Sequence, residues 1–248
     1  MFPSHDRRKF RQVGCTTIAA AFALWLCTFH RYQTVPILSK GEREAIEFVE
    51  RVKLMYDELP SWLQVGLVNR GGNAHTFKFS NGSVIKSRAS SKNAGRSLSG
   101  SLIIFDEAAF IEWIDDIWAA AYPTISTGGK ALVLSTVNGM GNFFQILYRD
   151  AINEDNDFNA IDINWKSHPE YYPQEGWEHL YVEGWEKTTR GNMSPRQWLQ
   201  EYECEFLGTG DTYIDGEVLK QLYESVSEDF YEKWNRRLRV WKVSPSRS

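Results

Sequence analysis

Asp106 and Glu107 stand side by side at the end of an apolar run, SLIIFDEAAF over Ser101–Phe110. A second apolar run, ALVLSTVNG over 131–139, ends in Ser135, Thr136 and Asn138. Short apolar runs of this kind read as buried parallel strands, and ligands on open α/β sheets sit outside the carboxyl ends of such strands. Acids and hydroxyls gathered there suit hydrolysis of a nucleotide. Adjacent side chains of a strand point to opposite faces, so the two carboxylates are expected to work differently. One can hold the water shell of a magnesium ion while the other orients and deprotonates an attacking water. The competing reading of the acids is a helix cap, since DEAAF could open a helix. For Ser135, Thr136 and Asn138 it is a strand-end turn.

Phosphates would need a loop to hold them, and Lys9–Thr17, KFRQVGCTT, is the candidate. The usual pattern is GxxxxGK[ST]. Gly14 and Thr16 match its final glycine and hydroxyl, but Cys15 occupies the lysine position and Lys9 the position of the first glycine. Because such a loop wraps the phosphates, a lysine at its start can reach the place vacated at Cys15. Arg11 adds a second cation whose planar fork suits phosphate oxygens. Backbone N–H groups of Gln12, Val13, Gly14, Cys15, Thr16 and Thr17, at a loop entering a helix, complete the cradle.

The elements that must position these groups alternate between strand and helix. A short strand is expected at Arg7–Phe10, a buried helix at Thr16–Phe29 and a strand at Thr34–Leu38. Glu42–Leu59 has Ile46, Val49, Val52, Met55 and Leu59 at helical spacing, and Pro60 stops it. HTFKFSNGSVIKSRA alternates around Asn81-Gly82, the signature of a hairpin. A polar loop over 90–100 leads to the acidic strand. A helix is predicted over Ile114–Ala121, a turn over Ser126–Gly129, then the second strand and a helix in FFQILYRDAI. Beyond Trp165 the aliphatics thin out and Trp, Tyr, Pro and Glu take over. Helices are predicted near 178–187 and 195–206, with a hinge at Gly208-Thr209-Gly210. The alternation argues for a parallel sheet covered on both faces.

The 248 residues, 42% apolar and 24% charged, suffice for one large domain with an appendage. A net charge of −4 argues against attachment to DNA by bulk positive field and leaves a local basic groove or a subunit of a ring. Cys15, Cys27 and Cys204 have no CxxC spacing, so neither a disulfide framework nor a zinc site is indicated. HDRRKFRQ followed by TTIAAAFALWLCTF imitates a twin-arginine export signal. Its apolar part would reach only about 21 Å as a helix, against about 30 Å of hydrocarbon core. A helix of a cytosolic domain is the favoured reading, with no membrane involved.

KFRQVGCTT, LIIFDEAAF and LSTVNGMGNFF, in this order and spacing, resemble the large terminase subunit of tailed bacteriophages, and the resemblance runs on through INWKSHP and FLGTGDTYID. It implies a three-layer αβα P-loop NTPase of the additional-strand (ASCE) class, with a mainly parallel central sheet and a small C-terminal linker subdomain. The ATPase core would occupy residues 1–163 and the linker 164–248. The implied activity is ATP hydrolysis that drives double-stranded DNA into the procapsid, with ATP and Mg2+ as cofactors. In that family's terms Asp106 and Thr16 would hold magnesium, Glu107 would be the catalytic glutamate, and Lys9 and Arg11 would serve the phosphates. Ser135, Thr136 and Asn138 would fall in a motif coupling the γ-phosphate to movement. Arg96 resembles an arginine finger supplied to a neighbouring subunit, a device worth about 10³-fold or more in comparable enzymes; its bland reading is a solvated loop arginine. His168 also matches a family motif, with helix packing as the alternative role.

The implied partners are a homo-oligomeric ring on the portal protein and the small terminase subunit, in the host cytoplasm on the procapsid. Only eight residues precede Lys9, so the segment that helps hold adenine is expected to be missing and the first strand cut short. RLRVWKVSPSRS resembles the junction with a nuclease domain, which is expected to be encoded elsewhere or removed. A helicase-like translocase, a hydrolysis-deficient assembly subunit and an exported protein are the competing readings.

Overall fold

The computed structural model describes residues 4–9, 14–69, 72–88, 90–92, 94–208, 230–233 and 238–241, with 4–9, 96–97 and the last two ranges described by their backbone alone. Two compact units divide the chain, Met1–Phe206 and Leu207–Ser248. The expected boundary at 163/164 falls inside the first of them.

In the first unit β1 (Ser4–Lys9) leads to α1 (Cys15–Phe29), and β2 (Thr34–Leu38) to α2 (Glu42–Asp57). A hairpin of β3 (Thr76–Lys78) and β4 (Val84–Arg88) follows, then β5 (Leu102–Asp106), α3 (Ile114–Ser126), β6 (Lys130–Ser135), α4 (Phe143–Ile152) and β7 (Phe158–Ile163). Two short helices, α5 (Trp185–Gly191) and α6 (Pro195–Glu201), come last. The seven strands form one sheet in the order β3-β4-β2-β5-β6-β1-β7. Every neighbouring pair is parallel except β3 with β4. One strand, β6, is therefore interposed between β1, which feeds the loop at Gly14, and β5, which ends in Asp106. That interposed strand defines the additional-strand class of P-loop NTPase.

The residues explain the layering. All five residues of β5 are buried, as a central strand covered on both faces requires. Alternate side chains enter different cores. Leu102 and Ile104 join Val35, Ile37, Ala20, Ala23 and Phe48 under α1 and α2, while Ile103 and Phe105 join Ile114, Ile117 and Phe144 under α3 and α4. The hairpin register pairs Phe77 with Ile85, and Gly82 supplies the positive φ of 86° that its turn needs.

Several expectations change. The strand expected at Arg7–Phe10 runs over Ser4–Lys9, with His5–Arg8 paired to β6 and all six residues to β7. The helix expected to be buried at Thr16–Phe29 buries one face only: small residues Ala19, Ala20 and Ala23 face inward, whereas Ile18 and Phe29 are 53% and 58% exposed. The buried face of α2 is Ala45, Phe48, Val49, Val52 and Tyr56, rotated from the predicted set. The helix predicted near 178–187 is instead a single 3-10 turn, Glu178–Leu180, with α5 starting only after Gly184 takes φ 78°. The strand β7 was not anticipated. Among the described residues no helix is long and apolar enough to cross a membrane.

Residues 164–206 build a small aromatic core around Trp165, Trp198 and Cys204, into which Val137 also inserts. Both indole N–H groups, of Trp165 and Trp198, donate to Glu203 Oε1 at 3.1 Å, so their burial leaves neither donor unmatched. His168 stacks on Tyr171 with ring centroids 4.4 Å apart. In the second unit β8 (Phe230–Lys233) pairs antiparallel with β9 (Leu238–Trp241). Of the predicted hinge, Thr209 and Gly210 lie outside the described residues.

Candidate active site

At the carboxyl end of β5, Asp106 is 7% exposed and receives the hydroxyl of Thr16. Thr16 Oγ1 donates toward both carboxylate oxygens, 3.0 Å from Oδ2 and 3.2 Å from Oδ1. The start of α1 and the end of β5, 90 residues apart in sequence, thus meet at one hydroxyl and one carboxylate.

Glu107 is not part of the strand. It adopts φ 54° and ψ 44°, the left-handed region, and its N–H bonds Asp106 Oδ1 at 3.2 Å. The strand rule that sends adjacent side chains to opposite faces therefore does not aim this carboxylate; the left-handed turn does. For a residue with a Cβ that conformation costs roughly 1–2 kcal/mol, and such strain gathers at functional sites. A 3-10 turn, Ala108–Phe110, follows without a side-chain cap from Glu107, so the helix-capping alternative has no hydrogen bond to support it.

On the loop side, Gly14 caps α1 with φ 81°, and a Cβ there would meet nothing within 4 Å, so the demand for glycine is one of backbone conformation. Cys15 is the first residue of α1 and 2% exposed. Lys9 closes β1 with its backbone beside Ile163. The Lys9 side chain and all of Arg11, Gln12 and Val13 lie outside the described residues. Thr17 Oγ1 accepts a hydrogen bond of 2.7 Å from Arg51 Nη1, which reaches across from α2.

The STVNG segment grips the turn that carries Glu107. Ser135 Oγ, fully buried, accepts from the Ala109 N–H at 3.1 Å, and Asn138 Nδ2 donates to the Ala109 carbonyl at 3.1 Å. Both backbone groups of a residue two positions past Glu107 are thereby held by the neighbouring strand end. Thr136, also buried, lies between them. Asn142 extends the grip: its Nδ2 donates to the carbonyls of Asn138 and Gly139, and its Oδ1 caps α4 through the Gln145 N–H. On the far side Gln200 Nε2 donates to the Val137 carbonyl at 3.3 Å. Arg96 lies on a 3-10 turn, Ala94–Ser97, whose Gly95 packs against α3; the Arg96 side chain is outside the description.

Residues 9–221 match the family described as terminase large subunit, T4likevirus-type, N-terminal. The chain belongs to this family. Among solved structures, the large terminase ATPase domain of Thermus phage P74-26 superposes with a TM-score of 0.58 at 19% identity, over 82% of this chain and 88% of that one. The large terminase of the thermophilic bacteriophage D6E in complex with ADP gives 0.59 at 12% identity, over 81% and 47%. The HK97 bacteriophage large terminase gives 0.53 at 14% identity, over 89% and 43%. These likenesses are of fold, and this terminase chain spans about half the length of the latter two.

The donor set of the terminase site suits a small hard cation. Among the described residues no group of three or more His, Cys, Asp and Glu is gathered. Mg2+ needs none, because it is commonly held by one or two carboxylates together with substrate phosphates and waters. A buried carboxylate and a hydroxyl 3.0 Å apart supply oxygen ligands of that kind.

Sequence reasoning did not single out Arg51, Ala109 or Asn142. Arg51 is one of several charges on α2, and Ala109 acts through its backbone, which leaves no mark in a sequence. It also passed over Ser39, just after β2, which is 1% exposed and whose hydroxyl has no hydrogen-bond partner among the described residues. A cavity of about 550 Å³, lined by Trp25, Tyr32, Thr34, Ser101 and Lys130 among others, opens at the amino ends of β2, β5 and β6, the opposite edge from Asp106. It holds none of these groups.

Proposed function

We propose that this chain is the ATP-hydrolysing motor domain of a DNA-packaging terminase, coupling Mg-ATP hydrolysis to movement of double-stranded DNA into the procapsid. The observation that carries the proposal is the contact of Thr16 with Asp106, beside a Glu107 turned out of its strand. Asp106 and Thr16 hold Mg2+, which neutralises phosphate charge when bound. Glu107 takes a proton from the attacking water onto its carboxylate, and Lys9 and Arg11 hold phosphate oxygens with the backbone of Gln12–Thr17. Arg96 acts on a neighbouring subunit. Ser135, Thr136 and Asn138 pass the change at the phosphate to α4 and, through Val137, to the aromatic core. Residues 1–163 form the ATPase core and 164–248 the linker toward a nuclease domain. The assembly is a homo-oligomeric ring on the portal protein in the host cytoplasm, served by the small terminase subunit.

The test is magnesium-dependent ATP turnover by the purified chain and its Lys9→Ala variant. Turnover that Lys9→Ala abolishes is the expected result. Turnover that Lys9→Ala leaves intact would overturn the loop assignment. Nucleotide binding without turnover at any subunit concentration would favour a hydrolysis-deficient assembly subunit, the reading that the buried Cys15 in the lysine position supports.

A further inference from the structure

We infer that Arg51 is a further nucleotide-binding residue, which places its guanidinium on the phosphate oxygens at the start of α1. The inference rests on the nucleotide reading above and adds a cation to a loop whose usual lysine position is Cys15.

Arg51 sits in the third turn of α2 and is exposed, yet its Nη1 spans to the first turn of α1 and donates to Thr17 Oγ1 at 2.7 Å. The ordinary alternative for such an arginine is an ion pair within its own helix, one turn away. Glu47, four residues back, is engaged elsewhere: its Oε1 accepts from Arg43 Nε at 2.8 Å. Among the described residues no carboxylate pairs with Arg51, and Thr17 Oγ1 is its one hydrogen-bond partner. A guanidinium carries five N–H donors, so several remain for a ligand.

The charge balance at that place points the same way. The first turn of α1 contains no acidic residue, and Gly14 offers no side-chain cap to its N–H groups. A helix amino terminus carries partial positive charge, and with Arg51 beside it the start of α1 has room for an anion in addition to the Asp106 carboxylate that Thr16 meets. A phosphate chain is an anion of the right kind, because its oxygens accept both helix N–H groups and the forked donors of arginine. The anchor on Thr17 is next in sequence to Thr16, whose hydroxyl is on Asp106, so the added charge lies at the same end of α1 as the metal ligands.

Fluorescent N-methylanthraniloyl-ADP titrated into the magnesium-loaded chain tests this directly. Arg51→Ala is expected to weaken binding about tenfold, the scale of one charge-assisted hydrogen bond, and to flatten the dependence of affinity on salt. Arg51→Lys should recover part of the loss. Arg51→Gln removes the charge while keeping a shorter polar side chain with one amide donor group, guarding against a folding defect, and should resemble Arg51→Ala in affinity. If Arg51 is only a strap between α1 and α2, both neutral variants lower the melting temperature of the nucleotide-free protein and leave affinity within about twofold. That result overturns the inference and leaves the nucleotide reading standing. A wild-type chain that does not bind the probe removes both.

Discussion

Glu107 and Ala109 together account for how the acidic pair is aimed. The left-handed backbone at Glu107 is strained, and the strain is held by Ser135 and Asn138, which take the N–H and the carbonyl of Ala109. Ser135→Ala removes a buried acceptor and leaves the Ala109 N–H unmatched. A loss of about 1–3 kcal/mol in urea unfolding is expected, with a fall in turnover larger than in nucleotide affinity. Ser39→Ala is expected to do the opposite to stability. Its hydroxyl is buried without a partner among the described residues, so its removal should leave the midpoint unchanged or raise it. That the acids, the hydroxyl of Thr16 and the STVNG residues gather at one end of the sheet was legible in the sequence from their residue types at the ends of apolar runs. The grip on Ala109 was not, since its two ends are backbone atoms. Arg51 was hidden for another reason: nothing local distinguishes an arginine that leaves its helix from one that pairs along it.

At the scale of elements, α1 shows what hydropathy alone does not resolve. The apolar stretch promised a buried helix, but only Ala19, Ala20, Ala23, Leu24 and their neighbours on one face go inside, while Trp25 is 41% exposed and stacks on Phe22 at 5.6 Å. Leu24→Ala is expected to cost about 2–5 kcal/mol, whereas Trp25→Gln should change stability by no more than about 0.5 kcal/mol. Denaturant melts of the two neighbours check the helix phase. Burial also pushes the Cys27 thiol up to about 12, so little thiolate forms at neutral pH and iodoacetamide should label it only after unfolding. The polar strand β1, SHDRRK, gave little signal of its true length because its place in the sheet is fixed by parallel neighbours on both sides rather than by its own composition. β7, at the edge of the sheet, is likewise placed by its parallel neighbour β1 rather than by an apolar run of its own. By contrast β5 and β6 declared themselves through the apolar runs Leu102–Phe105 and Ala131–Leu134, which end in chemistry.

For the whole molecule, the strand order is what brings distant segments into one site. With β6 interposed between β1 and β5, the start of α1, Asp106 and Glu107 at the end of β5 and the STVNG turn at the end of β6 all lie at one end of the sheet. The Val137 side chain and carbonyl tie that end to the aromatic core of residues 164–206. Trp198→Ala should cost about 3–5 kcal/mol, read by urea unfolding, because it empties the centre of that core and leaves Glu203 without one of its indole donors. The central claim is that Glu107 activates water on a nucleotide held by the loop and by Asp106 and Thr16. Single-turnover hydrolysis of magnesium-ATP by Glu107→Gln, with binding measured on the same samples, tests it most directly. The account predicts affinity within about twofold of wild type and hydrolysis slower by about a hundredfold or more, as loss of a general base requires. Hydrolysis at the wild-type rate by Glu107→Gln would contradict it.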